Sequence, residues 1–120
     1  MSYDKNNIFA KILRGEIPCK KVYENEYVLS FYDINPQKKI HVLVIPKGEY
    51  IDLDDFIKKA LDKEIIEFNK AIIHIVRMLK ISSHEKGYRV LSNVGFDGGQ
   101  EVPHLHYHIF GGEKIGQMVL

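Results

Sequence analysis

Apolar residues recur along this chain in two rhythms. Between residues 60 and 79 they fall at Leu61, Ile65, Phe68, Ile72, Ile75 or Val76, and Leu79, in steps of three and four. That period belongs to one long amphipathic helix. Its broad apolar face would suit a partner groove, but a sheet with one face to cover needs such a helix, and core packing is the expectation. A shorter helical repeat (Ile8, Phe9, Ile12, Leu13) follows Asn7, a good N-cap, and is stopped by Gly15 and Pro18. Residues 20–23, 27–32 and 41–45 read as strands, with turns at residues 24–26 and 35–37. Such short connections favour an antiparallel meander. Residues 47–56 are turn-rich and acidic. Residues 88–93 predict a fourth strand, residues 94–102 a glycine-rich loop, and residues 104–110 a fifth strand. The order predicts an α+β fold over residues 1–120: a five-stranded antiparallel sheet with one long and one short helix.

The fifth strand, HLHYHIF, carries three of the six histidines. Strand side chains alternate between faces, so His104, His106 and His108 share one face and Leu105, Tyr107 and Ile109 the other. Unpaired polar groups are costly in a core. Three readings follow. The histidines lie on a surface strand, satisfied by neighbours. Or they bind a metal, since His-x-His points two imidazoles at one ion. Or they do phosphoryl chemistry, as imidazole is a nucleophile and an acid or base near neutral pH. Gly98-Gly99 before the run and Gly111-Gly112 after it are placed to wrap a ligand. The loop before the strand could present N–H groups to anionic oxygens. His74, near a helix-face boundary, and His84, in a polar loop, are given no catalytic role.

Charge and cysteine content narrow the field. The formal net charge of +1 gives no electrostatic case for nucleic acid or anionic membrane. Cys19 is alone, which excludes an intrachain disulfide and a four-cysteine zinc site. No apolar run approaches the ~20 residues of a membrane span, and the N-terminal stretch lacks a secretory core. The expected location is cytoplasmic.

Three blocks, IFAKILRGEIPCKKVYEN, FYDINPQKKIHVLVIPK and SNVGFDGGQEVPHLHYHIFGG, stand in an order and spacing that resembles the histidine triad nucleotide-binding proteins. The likeness runs over nearly the whole chain and is nearest to the purine nucleoside phosphoramidase branch. The resemblance implies a histidine triad fold. It implies that His106 is the nucleophile attacking the α-phosphorus, with His104 and His108 organising the site and His41 as a further active-site histidine. Asp33 would receive the ribose hydroxyls. Ile34 and Phe31 would line the base and sugar pocket, with Ile8, Phe9 and Ile12 contributing apolar surface. Asn93, Gly99, Gln100, Glu101 and Val102 would border the phosphate. Many relatives carry serine or threonine where Glu101 stands; Glu101 is expected to turn outward and leave its backbone amide in place.

The implied reaction is hydrolysis of purine nucleoside 5′-phosphoramidates, AMP-lysine among them, through a covalent nucleotidyl-histidine. No cofactor or metal is expected, and the partner is an AMP or GMP conjugate. The resemblance also implies a homodimer joined through the later strand and long helix, and the apolar ending Met118-Val119-Leu120 is expected to dock on its own domain or a second subunit. Other classes remain: a dinucleoside polyphosphate hydrolase or nucleotidyl transferase, a non-catalytic nucleotide-binding or scaffold protein, and a zinc module built on His104, His106 and His108.

Overall fold

The computed structural model describes residues 2–118. Its elements are α1 (Ile8–Leu13), β1 (Lys21–Glu24), β2 (Val28–Tyr32), β3 (Ile40–Pro46), α2 (Leu53–Lys59), α3 (Asp62–Met78), β4 (Arg89–Leu91) and β5 (Tyr107–Gly111). The five strands form one sheet in the order β1-β2-β3-β5-β4, with every neighbouring pair antiparallel. The expected α+β architecture and the meander of the first three strands are both present. No helix among the described residues is long and apolar enough to cross a membrane.

Strand alternation divides the sheet into two apolar faces. Val28, Val42, Val44, Leu105 and Ile109 point to one side and pack against Phe68, Ala71, Ile72, Ile75 and Val76 of α3. The long helix is therefore spent on the core, as its period predicts. Leu29, Phe31, Leu43 and Ile45 point to the other side, where Phe9 of α1 packs on them. His41 has the parity of Leu43 and Ile45, so it shares the α1 side.

Three local differences from the sequence reading have physical causes. Residues 53–59 form a helix of their own. Asp52 caps it by accepting from the Asp55 N–H at 2.9 Å, the acidic residues lie in its first turn, and Lys58 and Lys59 lie in its last. Phe56 anchors it in the core. Ala60 is extended, so α3 starts at Asp62, where Glu64 accepts from the Leu61 N–H at 3.1 Å. Among the described residues there are thus two short helices beside the long one.

The histidine strand also starts late. Its ladder with β3 runs from Ile40–Gly111 to Val44–Tyr107. Beyond that, the Leu105 N–H turns to the Tyr50 carbonyl at 2.8 Å, and Pro46 has no N–H to offer. His104 and His106 therefore precede the strand, and only His108 lies within it. Third, Gly111-Gly112 does not wrap the histidine site. Gly111 packs so closely on Ile81 that a Cβ would stand 2.8 Å from its Cδ1. Gly112 faces a separate concavity of about 710 Å³ bordered by Lys80, Lys86 and Arg89. The tail beyond β5 is held by Arg89, whose guanidinium donates to the Gly116 and Gln117 carbonyls at 2.9 Å. Met118 is exposed; Val119 and Leu120 lie outside the described residues.

Candidate active site

On the α1 side of the sheet lies a cleft of about 200 Å³. His106 and His108 form its floor with Phe9, Leu43 and Val102. Asp33 and Gln37 border one part, and Asn93, Gly99 and Glu101 another. Most of the residues singled out from sequence converge here. Leu43 and Gln37 were not among them. The parity of Leu43 with His41 was a usable signal; Gln37 belongs to a turn whose direction the sequence does not encode.

Hydrogen bonds to carbonyls and amides, whose polarity is fixed, set the proton on each ring. His106 Nδ1 lies 2.7 Å from the His104 carbonyl. A carbonyl only accepts, so Nδ1 carries the proton and Nε2 keeps a bare lone pair. His104 Nε2 lies 2.9 Å from the Pro46 carbonyl and likewise donates. His41 Nδ1 accepts from the Gln37 N–H at 3.1 Å, which puts its proton on Nε2. That Nε2–H donates to His108 Nδ1 at 2.9 Å, and Asp33 Oδ2 stands 3.4 Å away. His108 then holds its own proton on Nε2.

The other sequence candidates fall behind or beside the cleft. His104 is fully buried beneath His106 and does not line it. Phe31 is buried 5.7 Å from the Phe9 ring and supports it. Ile12 packs on the same apolar face. Ile8 and Ile34 are exposed chain neighbours of lining residues; Ile34 is 86% exposed. The Gln100 side chain fastens the loop: its Nε2 donates to the Ile51 and Val102 carbonyls at 2.7 and 3.0 Å, and its Oε1 accepts from the Gly95 N–H. Asn93 donates to the Gly98 carbonyl at 2.7 Å. A Cβ on Gly98 would stand 2.1 Å from the Val94 oxygen, so this loop closes only around glycine. Glu101 is exposed at the rim.

Burial lowers the proton affinity of all four imidazoles. It lowers the pKa of His41 against the pull of Asp33. It lowers that of His106 against the bond to the His104 carbonyl. It pushes His104 down to about 4, and His108 to about 4 with help from His106 and His41. These shifts make stability depend on pH. Below the unfolded value of 6.5, the unfolded chain takes up protons that the folded one refuses, so stability falls as pH drops from 6.5 to about 4. His104 alone accounts for on the order of 3 kcal/mol. Thermal melts across that window should show a progressive fall in Tm, before carboxylate protonation adds to it. A flat profile down to about pH 4 would contradict the burial argument.

One potential ligand atom from each of Asp33, His41 and His108 lies within 4.8 Å of the others. This set differs from the His104, His106 and His108 trio considered from sequence. Within it His41 and His108 are hydrogen-bonded to each other, with Asp33 Oδ2 3.4 Å from His41, and a cation there would have to displace the His41–His108 bond.

The comparisons agree with this architecture. A HIT-like protein of Azospirillum brasilense is 54% identical over 118 residues, covering 98% of this chain and 95% of its own. A solved histidine triad protein from Clostridium difficile superposes with TM-score 0.83 at 42% identity, over 97% of this chain and 98% of that one. A solved HIT family hydrolase from Clostridium thermocellum gives TM-score 0.83 at 37% identity, over 98% and 99%. The HIT domain model matches residues 14–115, and the chain belongs to the histidine triad (HIT) family.

Proposed function

We propose that this protein is a hydrolase of purine nucleoside 5′-phosphoramidates, such as AMP joined to a lysine amine, working through a nucleotidyl-His106 intermediate. The observation that carries this reading is the bond from His106 Nδ1 to the His104 carbonyl, which leaves Nε2 as an unprotonated nucleophile on a ring that lines the cleft. The solved relative from Clostridium thermocellum is described as a hydrolase, which supports the reaction class.

In the first step His106 Nε2 bonds to phosphorus and the P–N bond to the amine breaks. An anionic phosphoryl group beside His41 and His108 raises the proton affinity of that pair. One proton from solvent enters at His41 Nδ1 and displaces the Gln37 N–H; as His108 Nε2–H passes to the leaving nitrogen, the proton on His41 Nε2 shifts to His108 Nδ1, and the pair is neutral again. In the second step water attacks phosphorus, the P–Nε2 bond breaks, and His108 takes the water's proton. Among the described residues, the N–H groups of Glu101 and Val102 have no acceptor in the protein and are free to meet phosphoryl oxygens. The cleft holds the phosphoryl group and part of the sugar. The exposed side chains of Ile34 and Ile8 then offer apolar surface to a purine. A substrate panel on purified protein tests the reading. Release of nucleoside monophosphate from adenosine phosphoramidates well above that from diadenosine tetraphosphate is expected; the reverse order would favour a dinucleoside polyphosphate hydrolase.

Asp33 lines the cleft and uses one oxygen on the Asn35 N–H at 2.8 Å, leaving the other within reach of a ribose hydroxyl. Asp33→Ala is expected to raise KM by roughly tenfold or more, the cost of losing charge-assisted hydrogen bonds. The 2′-deoxy substrate should suffer a similar loss with the unaltered enzyme, and little further loss with the variant. Independent, additive losses would remove Asp33 from the ribose.

We further infer a homodimer. Ile66 and Ile73 are exposed on α3 seven residues apart, hence on one helix face, and β4 is an edge strand. Sedimentation equilibrium should return twice the chain mass. A monomer at micromolar concentration would rule the dimer out.

A further inference from the structure

The triad is reached from an N-terminal arm that precedes the residues matched by the family model. Tyr3 meets His104 edge-on, with ring centroids 5.6 Å apart, and its hydroxyl lies 2.5 Å from His104 Nδ1. The other ring nitrogen fixes the direction of this bond. His104 Nε2 must donate to the Pro46 carbonyl, so Nδ1 holds the lone pair and Tyr3 is the donor. His104 is sealed from solvent. Without the phenol its Nδ1 would be a buried acceptor with no partner, a costly state.

We propose that Tyr3 is a positioning residue: its hydroxyl clamps the His104 ring, and the clamped residue presents the carbonyl that keeps His106 protonated on Nδ1 and bare on Nε2. The chain of contacts is short. Tyr3 holds the ring of His104 at one nitrogen, Pro46 holds it at the other, and the carbonyl of the same residue takes the His106 proton at 2.7 Å. Phe9 closes the stack, edge-on to His104 at 6.4 Å and to His106 at 4.9 Å. Burial of His104 acts in the same sense, since it keeps that ring neutral and able to accept from Tyr3.

The arm has moorings that do not involve this hydroxyl. Asn7 donates to the Asp4 carbonyl at 2.7 Å, and Arg14 donates to the Lys5 carbonyl at 2.8 Å. Removing the hydroxyl therefore leaves these two moorings of the arm in place while it deletes the bond to His104. Tyr3 itself does not line the cleft, so it acts on the nucleophile and not on substrate contact.

The consequence for turnover rests on the reading of His106 as nucleophile; the consequence for its tautomer does not. Tyr3→Phe is the test, with two readouts. Imidazole nitrogen-15 NMR near neutral pH, without ligand, should show His106 of the unaltered protein in the Nδ1–H form, assigned by its absence in His106→Ala. In Tyr3→Phe a mixture with the Nε2–H form is expected. In the same variant kcat should fall roughly threefold to tenfold, the worth of one neutral hydrogen bond, with KM unchanged. An unchanged tautomer would overturn the proposal whatever the kinetics. A shifted tautomer with unchanged kcat in an active enzyme would overturn it equally. If the unaltered protein turns over no phosphoramidate, the functional reading fails, and the NMR comparison still decides the role of Tyr3.

Discussion

Replacing His106 with alanine should lower kcat for an adenosine phosphoramidate by roughly four orders of magnitude or more while the protein still binds AMP. The reasoning is chemical. Of the histidines here, only His106 combines a bare nitrogen, forced by a carbonyl on its other side, with a place in the cleft wall. His104 has both nitrogens engaged and no exposure, and His41 is buried behind His108. No neighbouring ring can take over as nucleophile. The fold should tolerate the change, because His106 precedes the β5 ladder and its side chain makes one hydrogen bond. Single-turnover kinetics beside a thermal melt check both halves. Loss of activity with loss of folding would leave His106→Gln, which preserves more volume, to give the answer.

Replacing His108 with glutamine should cost roughly 10²- to 10⁴-fold in kcat, the usual worth of a positioned general acid. The loss should depend on the leaving group. An alkyl amine needs a proton before it can depart, so the lysine conjugate should suffer fully. An aryl amine with an electron-withdrawing substituent departs with little help and should suffer far less. A series of leaving groups measured with both proteins would therefore show a steeper dependence on amine basicity in the variant. The same loss for every leaving group would mean that His108 shapes the cleft and does not deliver a proton. The low proton affinity of His108 in the free protein means that this role requires bound substrate to raise it. Burial and the neighbouring histidines set it, and an anionic substrate acts against them.

Much of this arrangement was legible in the chain. Alternation through residues 104–110 separates the histidines from Leu105 and Ile109, and the structure packs those two under α3, because side-chain parity survives even where the ladder does not. The period of the long helix matches the residues it buries between Phe68 and Val76, whereas Leu61, the first of the series, stands at the N-cap and is 70% exposed. What escaped was local chemistry that competes with simple patterns. An acidic stretch that reads as a turn becomes a helix once Asp52 caps it and Phe56 finds the core. The start of β5 depends on where the Tyr50 carbonyl lies, which no window around residue 105 contains. The Asp33–His41–His108 network joins β3, β5 and the residue that follows β2 through tertiary pairing. Tyr3 and His104 are separated by 101 positions, and a lone tyrosine in a polar arm carries no periodic signal.

The most direct measurement is intact-mass and peptide-mapping spectrometry after a rapid, non-acidic quench with an adenosine phosphoramidate. The expected result is a transient adenylyl group on His106, forming and decaying at rates that account for turnover, and absent from His106→Ala. Steady release of AMP with no adduct on His106, or with the adduct on another residue, would contradict the account.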